Sequence, residues 1–354
     1  SMARFYDVLK AKTFRALRDV DGLISTRRGL MDKDFYQSIN FKGRHVNDIV
    51  DWPQGGYVGK EKDNPGEADG FKFTTYNSVV NAYHYNALRI LERMAGILGH
   101  KSDSLAFADE AAQTYKSFNK KFFNRKTKHY MDGIGTTHES LHANMYALCF
   151  GLVPERYRKD VTDFVVSRRM ACSVFGAQFL LDALYGNDRG DYALTLLDST
   201  GERSWYNMIR KGSTIAMEAW DDKYKPNQDW NHVWGAAPAN LIVRGLFGIR
   251  PIEPAYAKFR IKPQPGKLRK ATLKVPTIRG TVRVSFDNNP GESLKLRATV
   301  PANTVSEVWM PRFSGRTVLS IDGEEVKTRV DGNWFVATIG SGQHELSVYE
   351  EVKK

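Results

Sequence analysis

The segment Ile249-Arg-Pro-Ile-Glu-Pro254 separates two kinds of sequence in this chain. Before it, apolar residues recur at helical spacing, most clearly over residues 71–98, and Gly99 follows as a stop signal. After it, apolar and polar residues alternate, as in residues 282–286, and turn signals such as Asp322-Gly323 stand between the alternating runs. The change of period predicts a mainly helical part followed by an antiparallel β-sandwich.

We therefore expect two domains, a helical one over residues 1–249 and a C-terminal β-sandwich over residues 250–354. Long and short helical segments alternate in the first, and several of the loops between them carry Trp or His. This arrangement is typical of helical hairpins packed into a toroid with a cleft at one end. The expected helices cover residues 71–98, 105–122, 138–152, 157–166, 174–185, 192–197 and 237–247.

The formal net charge of the 354-residue chain is +12 at pH 7. A basic chain can bind nucleic acid, membrane surfaces or anionic polysaccharides. The densest basic run, residues 267–274, is short, and no nucleic-acid-binding motif or membrane-spanning run is present. We therefore expect a solvated basic surface or an acidic glycan partner, with neither a nucleic acid nor a membrane partner.

The cysteine content leaves the compartment open. Cys149 and Cys172 are the two cysteines, and both lie in apolar segments, which excludes a disulfide framework. The chain opens Ser-Met, which resembles a cloning scar, so the lack of a signal peptide is uninformative. The leading expectation for the location is the bacterial periplasm or the cell exterior.

The pentapeptide His138-Glu-Ser-Leu-His142 matches the H-E-x-x-H pattern of zinc peptidases. On a helix the two histidines would lie on one face and could bind zinc, with Glu139 as the base. The third ligand is missing from its usual places, because Met145 stands where a metzincin has glycine and Glu155 comes too early for a gluzincin. We expect no metal and no other cofactor. In that case the histidines face the cleft and hydrogen-bond sugar hydroxyls, or cap the loop.

Residues 212–238 offer one prominent carboxylate among aromatic rings. They read Gly-Ser-Thr-Ile-Ala-Met-Glu-Ala-Trp-Asp, a short charged link, and Asp-Trp-Asn-His-Val-Trp-Gly-Ala-Ala-Pro. Glu218 is the best candidate for a general base, a group that must accept a proton from water. Apolar neighbours such as Trp220 would raise its pKa, whereas Lys211 or His232 would lower it.

Polar and aromatic loop residues elsewhere in the helical part could complete a sugar-binding cleft, since rings stack on pyranose faces and carboxylates accept from hydroxyls. Two upstream loops, residues 50–56 and 66–70, are of this kind, although each is equally well explained as a capped turn. The candidate substrate-binding residues are Asp51, Trp52, Glu67, Asp69, His138, His142, Trp205, Trp220, Asp221, His232 and Trp234.

The two segments around Glu218 resemble the end of the catalytic domain of bacterial α-L-rhamnosidases of glycoside hydrolase family 78. The Val-Asp-Trp-Pro segment at residues 50–53, residues 138–154, and the stretch from Ala255 to Gly266 are similar to that family as well. The resemblance implies an (α/α)6 toroid, an inverting mechanism and release of terminal rhamnose. It also implies that Glu218 is the general base and that Trp52 and His232 line the sugar subsite.

One departure from the family pattern concerns the general acid. The family places this glutamate in an Arg-rich motif of the kind Asp-x-x-x-Arg-x-Glu-Arg, and residues 25–29, Ser-Thr-Arg-Arg-Gly, do not match it. We expect that the chain begins partway round the toroid, that an N-terminal part of the same protein would supply the acid, and that this polypeptide alone is weakly active or inactive.

Two further hypotheses remain open at this point. A non-catalytic sugar-binding fragment would account directly for the unidentified acid, and rhamnose binding without hydrolysis would distinguish it. A polysaccharide lyase on a similar toroid is favoured mildly by the basic charge, and an ultraviolet-absorbing unsaturated uronate product would identify it. A zinc peptidase comes last.

Overall fold

The computed structural model describes residues 2–43, 46–55 and 66–350. Within these residues the chain forms two compact units. The first unit comprises Ser1–Ala183 and Asn207–Gly235, and the second comprises Leu184–Tyr206 and Ala236–Lys354. In the part that the structure describes, no helix is long and apolar enough to cross a membrane.

The first unit is built mainly from helices, joined by connections of very different length. They are α1 (Met2–Lys12), α2 (Lys33–Ser38), α3 (Ser78–Leu98), α4 (Lys101–Lys121), α5 (Leu141–Cys149), α6 (Glu155–Ser167) and the greater part of α7 (Val174–Gly186). Two short strands, β1 (Phe123–Asn124) and β2 (His129–Tyr130), pair between α4 and α5.

Helices α3 and α4 form a hairpin whose ends the sequence specifies. The Asn77 side chain accepts a hydrogen bond from the Val80 amide at 2.8 Å and so caps the start of α3. Gly99 ends it with φ of 81°, a left-handed conformation that glycine adopts without strain. The facing sides bury Leu88 and Leu91 of α3 with Phe107 of α4, which confirms the predicted helical stripe.

Helix α5 is shorter than expected. The sequence predicts a helix over residues 138–152, but α5 begins at Leu141, after Ser140 has capped it by accepting from the Ala143 amide at 3.1 Å. His138 therefore precedes the helix, because the Ser140 cap turns the chain before the first helical residue. The geometry that would place both histidines of the H-E-x-x-H pentapeptide on one helical face is absent.

The second unit contains short helices and a β-rich part. The helices are α8 (Gly190–Leu197), the start of α9 (Trp205–Arg210) and α10 (Ala237–Leu241), which continues as a π-helical turn over Ile242–Leu246. The strands are β3 (Arg250–Pro251), β4 (Lys258–Ile261), β5 (Lys270–Thr277), β6 (Gly280–Asn289), β7 (Ser293–Val300), β8 (Val305–Pro311), β9 (Thr317–Ile321), β10 (Glu324–Glu325), β11 (Arg329–Asp331), β12 (Trp334–Ile339) and β13 (Gly342–Glu350).

These strands form two sheets, of order β10-β9-β13-β7-β6-β5 and β11-β12-β8-β4-β3. Alternate residues are buried along the strands, as with Leu294, Leu296 and Ala298 of β7, which confirms the predicted sandwich with a period of two. The pairing of β4 with β8 is parallel rather than antiparallel. The chain leaves β4 for the other sheet and returns as β8, and such a crossover allows the two strands to run in the same direction.

Candidate active site

The loop that carries Glu218 folds back on itself as two facing segments. The Glu218 amide donates to the Asp229 carbonyl at 2.9 Å, and the His232 amide donates to the Ala216 carbonyl at 2.9 Å. Gly235 allows the turn after these residues to approach closely, since a Cβ there would lie 2.6 Å from the Met217 carbonyl oxygen. The two motifs that are separate in sequence thus form one site.

The Glu218 carboxylate is held through a single oxygen. Its Oε2 accepts from the Asp229 amide at 3.0 Å and lies 3.0 Å from Lys225 Nζ. Burial works to raise the pKa of Glu218, but the Asp229 amide, the Lys225 ammonium and the nearby His232 together hold that pKa below its ordinary value. The carboxylate is therefore ionised at neutral pH.

The second oxygen of Glu218, Oε1, has no hydrogen-bond partner among the described residues. The side chain retains 8% exposure, so this oxygen can receive a proton from a water molecule. The ring of His232 stacks on Trp234 with centroids 3.9 Å apart, and Trp234 Nε1 donates to the Glu218 carbonyl at 2.8 Å. The loop thus fixes a ring pair against the Glu218 backbone.

Lys225 is a site residue that sequence reasoning missed. The sequence suggested Lys211 or His232 as the group that lowers the pKa of Glu218, but Lys211 lies 3.0 Å from Asp221 and 3.5 Å from Asp222 instead. The burial of Lys225 is the signal of its role, and only the folded loop reveals it. The Lys211 ammonium, against the opposing effect of burial, holds the pKa of Asp221 below its usual range.

Trp220 lies in the core, which corrects its expected place in a cleft wall. The residue is fully buried, and its Nε1 donates to the Cys172 carbonyl at 2.8 Å. A buried indole needs such a partner for its N–H group, and its ring offers no face to solvent. Trp220 instead anchors the Glu218 loop to the segment that precedes α7.

The same segment holds Asp51. The Asp51 carboxylate accepts from the Ser173 amide at 2.8 Å, from the Ser173 hydroxyl and from the Trp52 amide at 2.9 Å. His142 Nε2 lies 2.7 Å from Asp51 Oδ2. Asp51 and His142 are both fully buried, and a Cβ at Gly176 would lie 2.6 Å from Asp51 Oδ2. This network ties the 50–53 loop to α5 and α7.

The other loop candidates are tied to the same region. The Glu67 amide donates to the Pro53 carbonyl at 3.0 Å, and the Glu67 side chain is buried, so the two upstream loops lie side by side. Asp69 accepts from the Leu141 amide at 2.7 Å and forms a bidentate pair with the Arg168 guanidinium. Both oxygens of Asp69 are therefore engaged at the start of α5.

The H-E-x-x-H pentapeptide has three separate sets of partners. His138 Nδ1 lies 2.6 Å from the buried Asp132 carboxylate, whereas His142 contacts Asp51. Glu139 accepts from Asn124 at 2.9 Å and lies 3.1 Å from His129 Nδ1. Among the described residues, no group of three or more His, Cys, Asp or Glu side chains is placed to hold a metal ion.

The structure thus brings most sequence candidates into the first unit. Cys172 and Ser173 connect the Glu218 loop with the Asp51 network, and Phe175 contacts the Trp234 ring with centroids 5.5 Å apart. Trp205 belongs to the second unit, at the start of α9.

A helical-hairpin unit that holds an ionised carboxylate and a stacked ring pair in one loop is typical of a glycosidase-like protein. A family model described as the bacterial alpha-L-rhamnosidase 6 hairpin glycosidase domain matches residues 30–246. A second, described as the bacterial alpha-L-rhamnosidase C-terminal domain, matches residues 248–321. The chain therefore belongs to the bacterial α-L-rhamnosidase family of glycoside hydrolases.

One curated relative and two solved structures are similar to this chain. An α-L-rhamnosidase from Streptomyces avermitilis is 26% identical over 290 residues, covering 78% of this chain and 27% of the relative. A solved α-L-rhamnosidase from Dictyoglumus thermophilum superposes with a TM-score of 0.71 at 20% identity, covering 99% of this chain and 44% of that one. The Streptomyces avermitilis enzyme complexed with L-rhamnose gives a TM-score of 0.65 at 24% identity, covering 81% and 28%. The chain spans less than half the length of these relatives.

Proposed function

We propose that this protein takes part in the inverting hydrolysis of terminal α-L-rhamnosides, with Glu218 as the general base. The observation that carries the proposal is the unequal treatment of the two Glu218 oxygens. Oε2 is held by Lys225 and the Asp229 amide, whereas Oε1 has no partner among the described residues. An ionised carboxylate with one fixed and one open oxygen is suited to orient and deprotonate a water molecule.

In this mechanism the water would attack the anomeric carbon from the side opposite the leaving group. An acid would protonate the glycosidic oxygen, and inverting carboxyl pairs stand about 6.5–9.5 Å apart to leave room for the water. We propose that His232, Trp234 and Trp52 line the sugar subsite. Asp51 and Asp69 would position loops rather than bind hydroxyls, because their oxygens are already engaged.

The carboxylates of Asp221 and Asp222, next along the Glu218 loop, are already engaged and do not fit the role of general acid. Asp221 is bound to Lys211, and Asp222 accepts from Gln228 Nε2 at 2.9 Å. Whether this 354-residue polypeptide can cleave a rhamnoside should therefore depend on the leaving group of the substrate. The phenolate of a strongly acidic phenol leaves the anomeric carbon without protonation, whereas the alkoxide of a simple alkyl rhamnoside needs a proton from an acid in order to leave.

The proposal is tested by assaying the polypeptide on both substrates. We expect slow turnover of a dinitrophenyl α-L-rhamnoside, reduced about 10²–10⁴-fold by Glu218→Gln, and no turnover of the methyl rhamnoside. Azide added to Glu218→Ala should restore activity and yield the inverted rhamnosyl azide. Dinitrophenyl activity unchanged in Glu218→Gln would refute the assigned base, and methyl rhamnoside turnover would show that the chain contains the acid.

A second candidate function is rhamnose binding without turnover, which the unassigned acid favours. Saturable rhamnose binding by titration calorimetry, together with no cleavage of the activated substrate, would support it. We also propose that the natural glycan carries acidic residues, since the net charge of +12 would favour its capture.

A further inference from the structure

A groove in the first unit lies between the end of α4 and the start of α6. Its volume is about 780 Å³, large enough for several sugar rings. It shares no residue with the candidate active site. The lining residues come from α4, the turn at β1 and the first turn of α6, and they are Tyr115, Lys116, Asn119, Lys120, Phe123, Arg125, Pro154, Glu155, Arg156 and Tyr157.

Aromatic rings form the apolar part of the groove. Phe123 and Tyr157 pack with ring centroids 4.5 Å apart, and the Arg156 guanidinium lies 4.9 Å from the Tyr157 centroid. Tyr115 adds a third ring from α4. Phe123 is buried against Tyr157, whereas Tyr115 and Tyr157 are half-buried. The two tyrosine rings provide flat surfaces on which pyranose rings can stack at little cost in side-chain entropy.

Four cations surround these rings. Lys116, Lys120, Arg125 and Arg156 are all exposed, and none of them forms an ion pair with a described residue. The neighbouring surface differs, since Lys121 is paired with Asp21, Lys128 with Asp160 and Lys159 with Asp163. The acid in the lining, Glu155, is paired with Arg158 at 2.6 Å. The groove thus carries four exposed cations without ion pairs among the described residues, beside its aromatic rings.

We propose that this groove is a second glycan-binding site, which holds an acidic, uronate-bearing polysaccharide away from the catalytic loop. The rings would stack on the sugar faces, and the four cations would pair with carboxylates along the chain. The proposal rests on the proposed glycan-directed function for its biological sense, but the binding itself does not require turnover. Such a site would keep the enzyme on its polymer between cleavage events.

The test compares matched variants of the full 354-residue chain in the Glu218→Gln background. Lys120→Ala with Arg156→Ala removes two groove cations, and Lys274→Ala with Lys327→Ala removes two exposed cations of the β-sandwich. Affinity for polygalacturonate is measured by affinity electrophoresis at about 0.1 M salt, where the Debye length is about 10 Å. Neutral dextran and a single-stranded oligonucleotide serve as comparison polymers.

We expect the groove variant to bind polygalacturonate about 10-fold more weakly, with a change of less than about 2-fold in the control variant. Dextran should not bind measurably. Equal losses in both variants would mean that only diffuse charge is at work and would overturn the proposal. So would oligonucleotide binding of similar strength through the same two residues. Because hydrolysis is not measured, a wrong assignment of Glu218 would leave this result unaffected.

Discussion

The surroundings of Asp51 and Glu218 show two ways of burying a carboxylate next to a histidine. Asp51 is fully buried, and both of its oxygens accept hydrogen bonds from His142, Ser173 and the Trp52 amide. Glu218 retains 8% side-chain exposure and has partners on one oxygen. A fully satisfied carboxylate holds loops together, whereas a partly satisfied one keeps the capacity to move a proton. Replacing Asp51 should therefore mainly reduce stability, whereas replacing Glu218 should mainly reduce activity.

Replacing Asp51 should affect folding most strongly. In Asp51→Asn, an amide nitrogen replaces one carboxylate oxygen and faces hydrogen-bond donors that it cannot accept from. We therefore expect the free energy of unfolding to fall by about 3–5 kcal/mol. Urea denaturation of purified protein measures this. Glu218→Gln is the matched control, and it should cost about 1–2 kcal/mol, because only the contacts of one oxygen change. Equal losses in the two variants would remove the distinction drawn between these carboxylates.

His84 is a buried titratable residue whose pKa is shifted mainly by burial. Burial and the neighbouring Arg18 lower the pKa of His84 from 6.5 to about 4. Between pH 6.5 and about 4, His84 is therefore protonated in the unfolded chain but not in the folded chain. The free energy of unfolding consequently falls as the pH drops from 7 to 4. The contribution is about 3 kcal/mol.

The measurement is the free energy of unfolding at several pH values. His84→Gln should flatten the pH dependence of the free energy of unfolding relative to the parent chain. The carboxylates are the same in the two proteins, so their contribution cancels in this comparison. A pH profile with an unchanged slope would show that folding does not shift the pKa of His84.

Trp220 and Trp234 of the Glu218 loop should differ in how much their replacement destabilises the protein. Trp220→Phe leaves the buried Cys172 carbonyl without its donor and should destabilise the protein by about 2 kcal/mol. Trp234→Phe also removes a donor, the one to the Glu218 carbonyl, but Trp234 is only half-buried, so water can replace that donor. Because a ring remains beside His232, we expect a change in stability of less than about 1 kcal/mol. Thermal unfolding monitored by circular dichroism distinguishes them. A larger loss from Trp234→Phe would place the structural anchor of the loop at that residue instead.

Replacing Lys225 should change kcat/KM only slightly at neutral pH and clearly at acidic pH. Removing its ammonium with Lys225→Met leaves burial with less opposition, so the pKa of Glu218 rises. A base must be deprotonated to act, and the acid limb of kcat/KM on the activated rhamnoside should therefore move to higher pH. Activity at neutral pH should stay within about 10-fold. Lys211→Met is the control, because Lys211 contacts Asp221 and Asp222, and an equal shift there would contradict the assigned pair.

Local patterns predicted much of the fold because local physics produces them. The helical stripe of α3, its Asn77 cap and the Gly99 stop depend on residues a few positions apart, and so does the alternation along β7. The predicted start of α5 was wrong because a single cap at Ser140 outweighed the apolar pattern around it. The parallel pairing of β4 with β8 depends on residues more than forty positions apart.

The sequence by itself determined the two periods, the family and Glu218 as the candidate base, since each depends on residue types at short spacing. The tertiary structure alone decided which ammonium faces that carboxylate, that Trp220 is buried, and that Asp51 is satisfied by Ser173, which is 122 positions away. The physical reason is that a pKa and a hydrogen-bond partner depend on distance in space and on burial, and chain folding sets both through contacts that no local pattern encodes.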